Sequence, residues 1–202
     1  MIKTKKELQF YIMADRIMRG YPPHRSFLEL IKNIISPDYI LMYLRYMRLA
    51  SYYSRTSSII RHWYNNRFYK LGVKLGFTIG YDVFGYGLVI PHYGTIVVNS
   101  NVRAGNYCVL HTSTCIAGGG KVLSDYLYLS SGAIIVKGVE LGPNVSIAAN
   151  SLVNSSFPQG NVVLAGSPAT IVKNGMCWIE RDGDIFVSRR NSVEQLKKIM
   201  FS

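Results

Sequence analysis

Two histidines in the middle of the chain are the side chains best suited to acid–base chemistry. His92 stands in the segment Ile-Pro-His-Tyr-Gly-Thr-Ile-Val-Val, residues 90–98, and His111 follows further along the same half of the chain. A free imidazole has a pKa of about 6.5, so it can take or give a proton near neutral pH. A histidine in an apolar run is often only structural. We favour a catalytic His92 because it follows Pro91 and precedes Gly94 where a regular repeat begins.

That repeat has a period of six residues and runs from Val98 to Val153, with one extra residue within 118–121. A helix needs a period of about 3.6 and a hairpin sheet a period of two, so the pattern predicts a β-solenoid with the aliphatic side chains inside. Ordinary sandwich strands with coincidental spacing are the alternative. The aliphatic positions are Val98, Ala104, Leu110, Ile116, Leu123, Leu129, Ile135, Leu141, Ile147 and Val153.

Small or turn-forming residues stand three places after most of these aliphatic positions. They include Asn101, Ser113, Gly132, Gly138, Asn144, Asn150 and Ser156. Glycine and asparagine tolerate positive φ, so the sequence predicts tight corners between short strands at these places.

Composition limits the partners. The 202 residues carry 23 Lys and Arg against 11 Asp and Glu, a formal charge of +12, which suits nucleic acid, an anionic membrane or a phosphorylated small molecule. No block of five like charges occurs, so we expect no nucleic acid partner.

The three cysteines, Cys108, Cys115 and Cys177, lack metal-ligand spacing. We expect free thiols, no metal and a cytoplasmic location, without a signal peptide or membrane span.

Three regions follow from these patterns. In residues 1–73 the pattern predicts an α-helical region with helices near 4–20, 27–35, 39–53 and 58–71. Capping boxes are expected at Thr4 and Ser26. Residues 74–173 form the solenoid. Residues 174–202 predict a C-terminal cap, with a hairpin over 175–187 and a helix starting at Ser192 that together cover the solenoid's end. The Tyr- and Arg-rich helices suit either a membrane surface or packing on the solenoid and on neighbouring subunits, and we favour packing.

The H-Y-G-T-I-V-V segment, the repeat and the segment Ala-Gly-Ser-Pro-Ala at 165–169 together resemble the hexapeptide-repeat acyltransferases, more closely their serine acetyltransferase branch. The resemblance covers roughly residues 75–173. It implies a mainly β fold, a left-handed parallel β-helix of hexapeptide repeats, here with an N-terminal α-helical region and a short C-terminal cap. It also implies a homotrimer with active sites between subunits and acetyl-CoA as co-substrate.

The resemblance also implies roles for individual residues. His92 occupies the place of the general base that takes the proton from the acceptor hydroxyl. His111 is a second candidate on spacing alone, because it lies 19 residues after His92, close to one coil, so that the two would be neighbours on adjacent coils. Two interpretations stay open: it orients the acceptor or the acetyl carbonyl, or it is a corner residue bonded to the next coil. Residues expected beside CoA are Gly118, Gly119, Lys121, Ala149, Ala165, Gly166, Pro168 and Lys173, with Lys137 as a further candidate for its phosphates.

The acceptor side departs from the serine enzymes. Their Asp, about fifteen residues before the catalytic histidine, is replaced by Phe77-Thr78-Ile79-Gly80, which leaves Asp82 as a weak candidate to orient His92. Their second histidine after the Gly-rich loop is missing. We therefore expect O-acetyl transfer to a saccharide hydroxyl in surface polysaccharide biosynthesis, with serine O-acetylation in cysteine biosynthesis as the alternative. A non-catalytic scaffold or anionic-membrane binder, at the inner face of the membrane, is the alternative of another class.

Overall fold

The computed structural model describes residues 2–55, 58–136 and 138–202. Four helices come first: α1 Lys5–Met18, α2 Phe27–Ile35, α3 Tyr39–Tyr53 and α4 Ser58–Leu75. Thirteen short strands follow in the described residues: β1 Phe77–Ile79, β2 Ile96–Val98, β3 Arg103–Ala104, β4 Val109–Leu110, β5 Thr114–Ile116, β6 Val122–Leu123, β7 Tyr128–Leu129, β8 Ile134–Ile135, β9 Glu140–Leu141, β10 Val145–Ile147, β11 Leu152–Val153, β12 Val162–Gly166 and β13 Ala169–Asn174. Two helices, α5 Trp178–Arg181 and α6 Asp184–Phe201, end the chain.

The strands form three parallel sheets that are the faces of a β-helix. Face 1 is β1-β2-β5-β8-β11, face 2 is β3-β6-β9, and face 3 is β4-β7-β10-β12 with β13 added antiparallel at its edge. Each coil visits the faces in the order 1, 2, 3, and isolated bridges at Phe84, Val89 and Phe157 complete the first and last coils. The predicted solenoid is therefore present, with about five coils.

The strand register confirms the predicted period. Ile96 pairs with Thr114, a spacing of three full repeats. Arg103 pairs with Val122, one position more than three repeats, because the extra residue of the 118–121 loop lies between them. The predicted inward aliphatic side chains are buried, with exposures of 3% or less for all of them except the half-buried Ala104. The last coil is shorter than predicted, since the pairing of Val145 with Val162 falls one position short of three repeats.

The three corners between the faces differ in composition. The glycine corner, between faces 1 and 2, contains residues 80–82, 99–102 and 117–121. The aromatic corner, between faces 2 and 3, contains 85–87, 105–107 and 124–127. The histidine corner, between faces 3 and 1, contains 90–95, 111–113, 130–132, 148–151 and 166–168. Positive φ occurs at the predicted positions Ser113, Gly132, Asn144 and Asn150 but not at Asn101 or Ser156, and it occurs also at Tyr107 and Tyr126 of the aromatic corner.

The N-terminal helices match the predicted ones closely. Thr4 and Glu7 form the full capping box of α1. Ser26 caps α2, but Glu29 binds Arg16 instead of returning to the cap, so the second box is only half formed. Asp38 caps α3, which spans the predicted residues Tyr39–Tyr53. Helix α4 runs on to Leu75, past its predicted end at Leu71.

A buried ion pair joins these helices to the first coil. Arg48 of α3 donates to Asp15 of α1 at 2.8 Å, and also to the carbonyl oxygens of Phe84 and Gly85. The Asp15 carboxylate in turn accepts from the backbone N–H groups of Gly87 and Leu88. Both side chains are at most 2% exposed. The helical region is thus fixed to the aromatic corner through charge-assisted hydrogen bonds.

The C-terminal region corrects the prediction. The hairpin expected over 175–187 is absent from the described structure, because these residues form α5 and the start of α6, which begins at Asp184 rather than at Ser192. The hairpin of this region is instead β12–β13. Trp178 of α5 is buried and donates to the Tyr107 carbonyl at 2.7 Å, while Glu194 of α6 accepts from the hydroxyls of Tyr86 and Tyr107. These helices therefore cover face 3 and the aromatic corner, not the end of the solenoid.

Candidate active site

The loop that presents His92 is held on both sides by the helical region. Arg19, at the end of α1, donates to the carbonyl oxygen of Ile90 at 2.9 Å and pairs with Asp38 at 2.6 Å. On the other side, the N–H of Gly94 donates to the carbonyl oxygen of Leu75 at 3.0 Å. Contacts from α1, α3 and α4 thus fix the backbone on either side of the histidine.

Gly94 is required by the shape of this loop. Its φ is +139°, a conformation that side chains rarely adopt, and an added Cβ would lie 3.1 Å from the Thr112 methyl carbon on the next coil. The glycine lets the loop approach the neighbouring coil while His92 points away from the core. His92 itself is exposed.

His111 lies one coil further along the same corner and is held more firmly. Its Nε2 atom is 2.8 Å from the Tyr128 hydroxyl, and the Arg181 guanidinium of α5 lies 4.2 Å from the centre of the Tyr128 ring. Burial, and then the charge of His92, lower the pKa of His111 below its ordinary value. The lowered pKa favours the neutral form of His111, and the bond to Tyr128 orients its ring.

The bond to Tyr128 corresponds to the corner interpretation of His111, a contact with the next coil. This does not remove the other interpretation, since a ring held through one nitrogen keeps the second available for a ligand.

The histidine corner collects most of the predicted site residues. Ala149 and the segment Ala165–Pro168 lie on this corner, on coils beyond that of His92. Ala149, Gly166 and Pro168 are exposed, and Ala165 is half-buried. Between them Ser151 accepts from the N–H of Gly166 at 3.2 Å, which ties the last two coils together. The result is a track of small residues that begins at the two histidines and runs along the solenoid axis.

Four other predicted residues lie on the glycine corner instead. Asp82 accepts from the Ser51 hydroxyl of α3, so the chain does not bring it to His92. Gly118 and Gly119 are exposed in the extra-residue loop, at a different corner from the histidines. Lys121 is only 1% exposed, and its ammonium group donates to the carbonyl oxygens of Ala117 and Gly118. It closes its own loop, so it does not offer a free charge to a phosphate.

Lys173 and Lys137 are the two remaining lysines predicted to meet CoA phosphates. Lys173 is exposed on β13, where it pairs with Val163 at the terminal edge of face 3. Lys137 lies outside the described residues.

A cleft of about 450 Å³ adjoins the start of this corner. It lies between α4 and the outer side of face 1, where Thr95 and Val97 form part of one wall and Phe68 and Tyr69 part of the other. Thr95 closely follows His92 in the same loop, so the cleft is an apolar space close to the imidazole along the chain.

Most of the residues that position the histidines carry no signal in the sequence. Arg19, Asp38 and Arg181 are far from them in sequence, and nothing in a helical pattern marks which arginine reaches a solenoid loop. Tyr128 carried a usable signal, because it stands about one coil after His111, on the outward side of a strand.

Metal-ligand groups, membrane-spanning helices and disulfides would each bear on the chemistry. The described residues contain no group of three His, Cys, Asp or Glu side chains arranged to hold a metal ion. None of the described helices is both long enough and apolar enough to cross a membrane. The three cysteines are free, and burial raises the pKa of the Cys108 thiol to about 12.

The chain is similar to known proteins over about half of its length in sequence and over most of its length in structure. No protein-family model matches the chain. A serine acetyltransferase of Synechococcus elongatus is 25% identical over 99 residues, covering 46% of this chain and 41% of that protein. One of Staphylococcus xylosus is 29% identical over 96 residues, covering 44% of each chain. A solved serine acetyltransferase in complex with CoA superposes with a TM-score of 0.60 at 20% identity, covering 82% of this chain and 68% of that one.

The chain has the β-helix of the hexapeptide-repeat acyltransferases. The three parallel faces and the structural match together confirm the predicted left-handed parallel β-helix with its N-terminal helices. The chain spans about half the length of the curated relatives it matches, so their activity is carried over only as a proposal.

Proposed function

We propose that this protein is an acetyl-CoA-dependent O-acetyltransferase of the serine acetyltransferase type, with His92 as general base. The observation that carries the proposal is the histidine corner, where an exposed, backbone-fixed histidine begins a track of small residues on this β-helix. The names of the matched proteins, and the CoA bound to one of them, support the same chemistry.

His92 accepts the proton of the acceptor hydroxyl as that oxygen attacks the acetyl thioester. A hydroxyl with a pKa far above 7 is a weak nucleophile, and a positioned base contributes typically about 10²- to 10⁴-fold to such a step. The proton held on His92 then passes to the departing thiolate sulfur, which restores the base. His111, neutral and oriented by Tyr128, binds the acceptor or the acetyl carbonyl as a polar group rather than as a charge.

The residues along the histidine corner fit an extended CoA arm. Ala149, Gly166 and Pro168 have no long side chains and are exposed, so an elongated amide-containing group can lie against the backbone there. The exposed ammonium group of Lys173 is free to meet a phosphate. Lys121 is left out of this role by its own hydrogen bonds.

Gly118 and Gly119 occupy a different corner from His92, so within one chain the two sets form separate surfaces. They contribute to one site only if the glycine corner of one subunit faces the histidine corner of another. We therefore include a homotrimer with sites between subunits in the proposal, and the molar mass in solution by light scattering tests it.

Serine is the acceptor that the matched proteins favour, and it is the first to test. A saccharide hydroxyl, of the kind acetylated in surface polysaccharides, is the second candidate. The observation in its favour is that no carboxylate is paired with His92 among the described residues, whereas Asp82 is bound to Ser51 on another corner.

An acceptor screen separates these cases. Free thiol released from acetyl-CoA is measured with L-serine and with a panel of mono- and oligosaccharides. Saturable release at about 1 to 1,000 per second with one acceptor supports the proposal and identifies the acceptor class. No CoA binding by calorimetry and no release with any acceptor would contradict it and favour a non-catalytic scaffold.

A further inference from the structure

Helix α2 exposes its apolar side and turns its polar side toward the protein. None of its residues is buried, and its apolar residues face outward: Phe27, Leu28, Leu30, Ile31, Ile34 and Ile35. Ile34 and Ile35 are 83% and 82% exposed. The half-buried residues of the helix are polar, Glu29 and Asn33, one turn apart on the inner side.

The inner side is fixed by charge. Glu29 receives two hydrogen bonds from the Arg16 guanidinium, at 2.9 and 2.7 Å, and Arg16 is 3% exposed. Arg16 also donates to the carbonyl oxygens of Pro22 and Pro23, in the segment that leads into α2. The helix is therefore held with its polar side inward and its apolar side outward. A large exposed apolar patch on such a helix marks a surface that another phase or molecule covers.

The surroundings of this patch are cationic. Residues 22–75 contain nine Lys and Arg, of which only Arg48 is buried and paired with Asp15 among the described residues, and two acidic residues, Glu29 and Asp38. Both carboxylates are already paired, with Arg16 and Arg19. Arg25, next to the start of α2, is close enough to Arg45 of α3 that the two charges repel. These two arginines line a cleft of about 290 Å³ between α1, α3 and the segment that leads into α2.

Aromatic residues on α3 and α4 lie next to Arg45. The Tyr46 ring, next to Arg45, lies 6.1 Å from the Trp63 ring, and Arg67 lies over Trp63 at 5.3 Å. Trp63 is 48% exposed and Ile59, one turn before it, is 81% exposed. Exposed tryptophan and aliphatic residues among arginines are typical of surfaces that lie in the headgroup region of a bilayer.

We propose that the outer side of α2, with Arg25 and Arg45, docks the protein on an anionic phospholipid surface. The apolar side chains of α2 enter the headgroup–acyl boundary while the arginines bind lipid phosphates. A second copy of the chain is the less suitable occupant, because two such cationic surfaces repel each other and offer no unpaired carboxylate to the arginines. The inference concerns a surface separate from the histidine corner and does not rest on the acetyltransferase proposal.

Vesicle flotation with the full-length chain tests this inference. Vesicles of phosphatidylcholine alone are compared with vesicles that also contain phosphatidylglycerol. We expect binding to the anionic vesicles that weakens as salt is raised from about 0.05 to 0.5 M. The double variant Ile34→Asn/Ile35→Asn should lose about tenfold or more of that binding, since two largely exposed isoleucines no longer enter the bilayer. Arg25→Gln/Arg45→Gln should lose about tenfold on anionic vesicles only.

The matched control is Ile185→Asn/Ile199→Asn on α6, where the isoleucines are 66% and 69% exposed. This control should bind as the wild type does. Absence of wild-type binding, equal binding of the two vesicle types, or unchanged binding by the α2 variant would overturn the proposal. The proposal would also be overturned if the wild type bound no vesicles but formed a multimer that the α2 variant dissociates. A second copy of the chain would then be the molecule that covers α2.

Discussion

Two corners of the same β-helix share a backbone and differ in what covers them. The aromatic corner places Tyr107 and Tyr126 at positive φ, stacks their rings at 5.3 Å, and is covered by α1 and α6. The histidine corner uses Ser113, Gly132 and Asn150 at the equivalent positions and leaves their track exposed. The same repeat geometry therefore gives a covered corner where the corner residue is a tyrosine and an open corner where it is small.

The comparison also explains why the helices matter to the histidines. The helical region packs on the aromatic corner through Asp15 and Arg48, and from there Arg19 reaches the loop of His92. The packing at one corner therefore positions the histidine loop at the other. A bulky residue in the left-handed region costs energy locally, and at Tyr107 that cost is offset by a buried ring and a bond to Glu194.

The largest expected effect is on the packing corner. Arg48→Met leaves the buried Asp15 carboxylate without its cation and should lower the free energy of unfolding by about 3–5 kcal/mol. Urea unfolding followed by circular dichroism measures it. The double variant Asp15→Asn/Arg48→Met is the control and should recover part of the loss. A single variant as stable as the wild type would show that the pair does not hold the corner.

The link between the corners is tested at Arg19. Arg19→Met removes the hydrogen bond to the Ile90 carbonyl, so the His92 loop shifts, and kcat should fall about 10- to 100-fold with KM nearly unchanged. Steady-state thiol release gives both constants. Arg190→Met, which removes a looser ion pair on α6, is the control and should leave both constants unchanged. A change confined to stability would mean that the contact only packs the fold.

A smaller effect on the free energy of unfolding is expected at Asn150, where the backbone conformation of the corner matters more than the side chain. Asn150, at φ 56°, should tolerate glycine with almost no change in the free energy of unfolding, whereas Asn150→Ala should lower it by about 1 kcal/mol. Thermal unfolding of the two variants checks this. Equal stability of the alanine and glycine variants would show that left-handed backbone does not limit this corner.

The pH dependence of stability tests the neutral state of His111. Because burial and the charge of His92 lower the pKa of His111 in the folded protein, the unfolded chain binds a proton more readily. The stability that the neutral ring contributes is complete above about pH 6.5 and is lost as the pH falls below that value toward the folded pKa. Urea unfolding between pH 7.5 and 5 should show a steeper loss for the wild type than for His111→Asn. Parallel curves would contradict the assignment.

The sequence predicts much of the solenoid because its period is enforced by burial at every sixth residue. Leu129, Ile135 and Leu141 are each fully buried, and the one extra residue in 118–121 appears directly in the strand register. The helices were also predictable, from caps such as Thr4 and Ser26 and from helical spacing.

What the sequence could not predict depends on tertiary contacts. Asp182-Gly183 has the pattern of a hairpin turn, yet Trp178 is buried against Tyr107, and Gly183, at φ 104°, is the N-cap of α6. In the same way, Lys121 was expected to meet a phosphate, but the corner buries it against its own loop. Asp82 was assigned by sequence distance alone, and the coil places it on another corner.

The most direct test of the account is the effect of His92→Ala on turnover and on CoA binding, measured on the same preparation. With the acceptor found by the screen, we expect kcat to fall about 10²- to 10⁴-fold while calorimetry gives a CoA affinity within about threefold of the wild type. That result would assign proton transfer to His92 and CoA binding to the rest of the corner. Full thiol release by His92→Ala with the same acceptor would contradict the central claim.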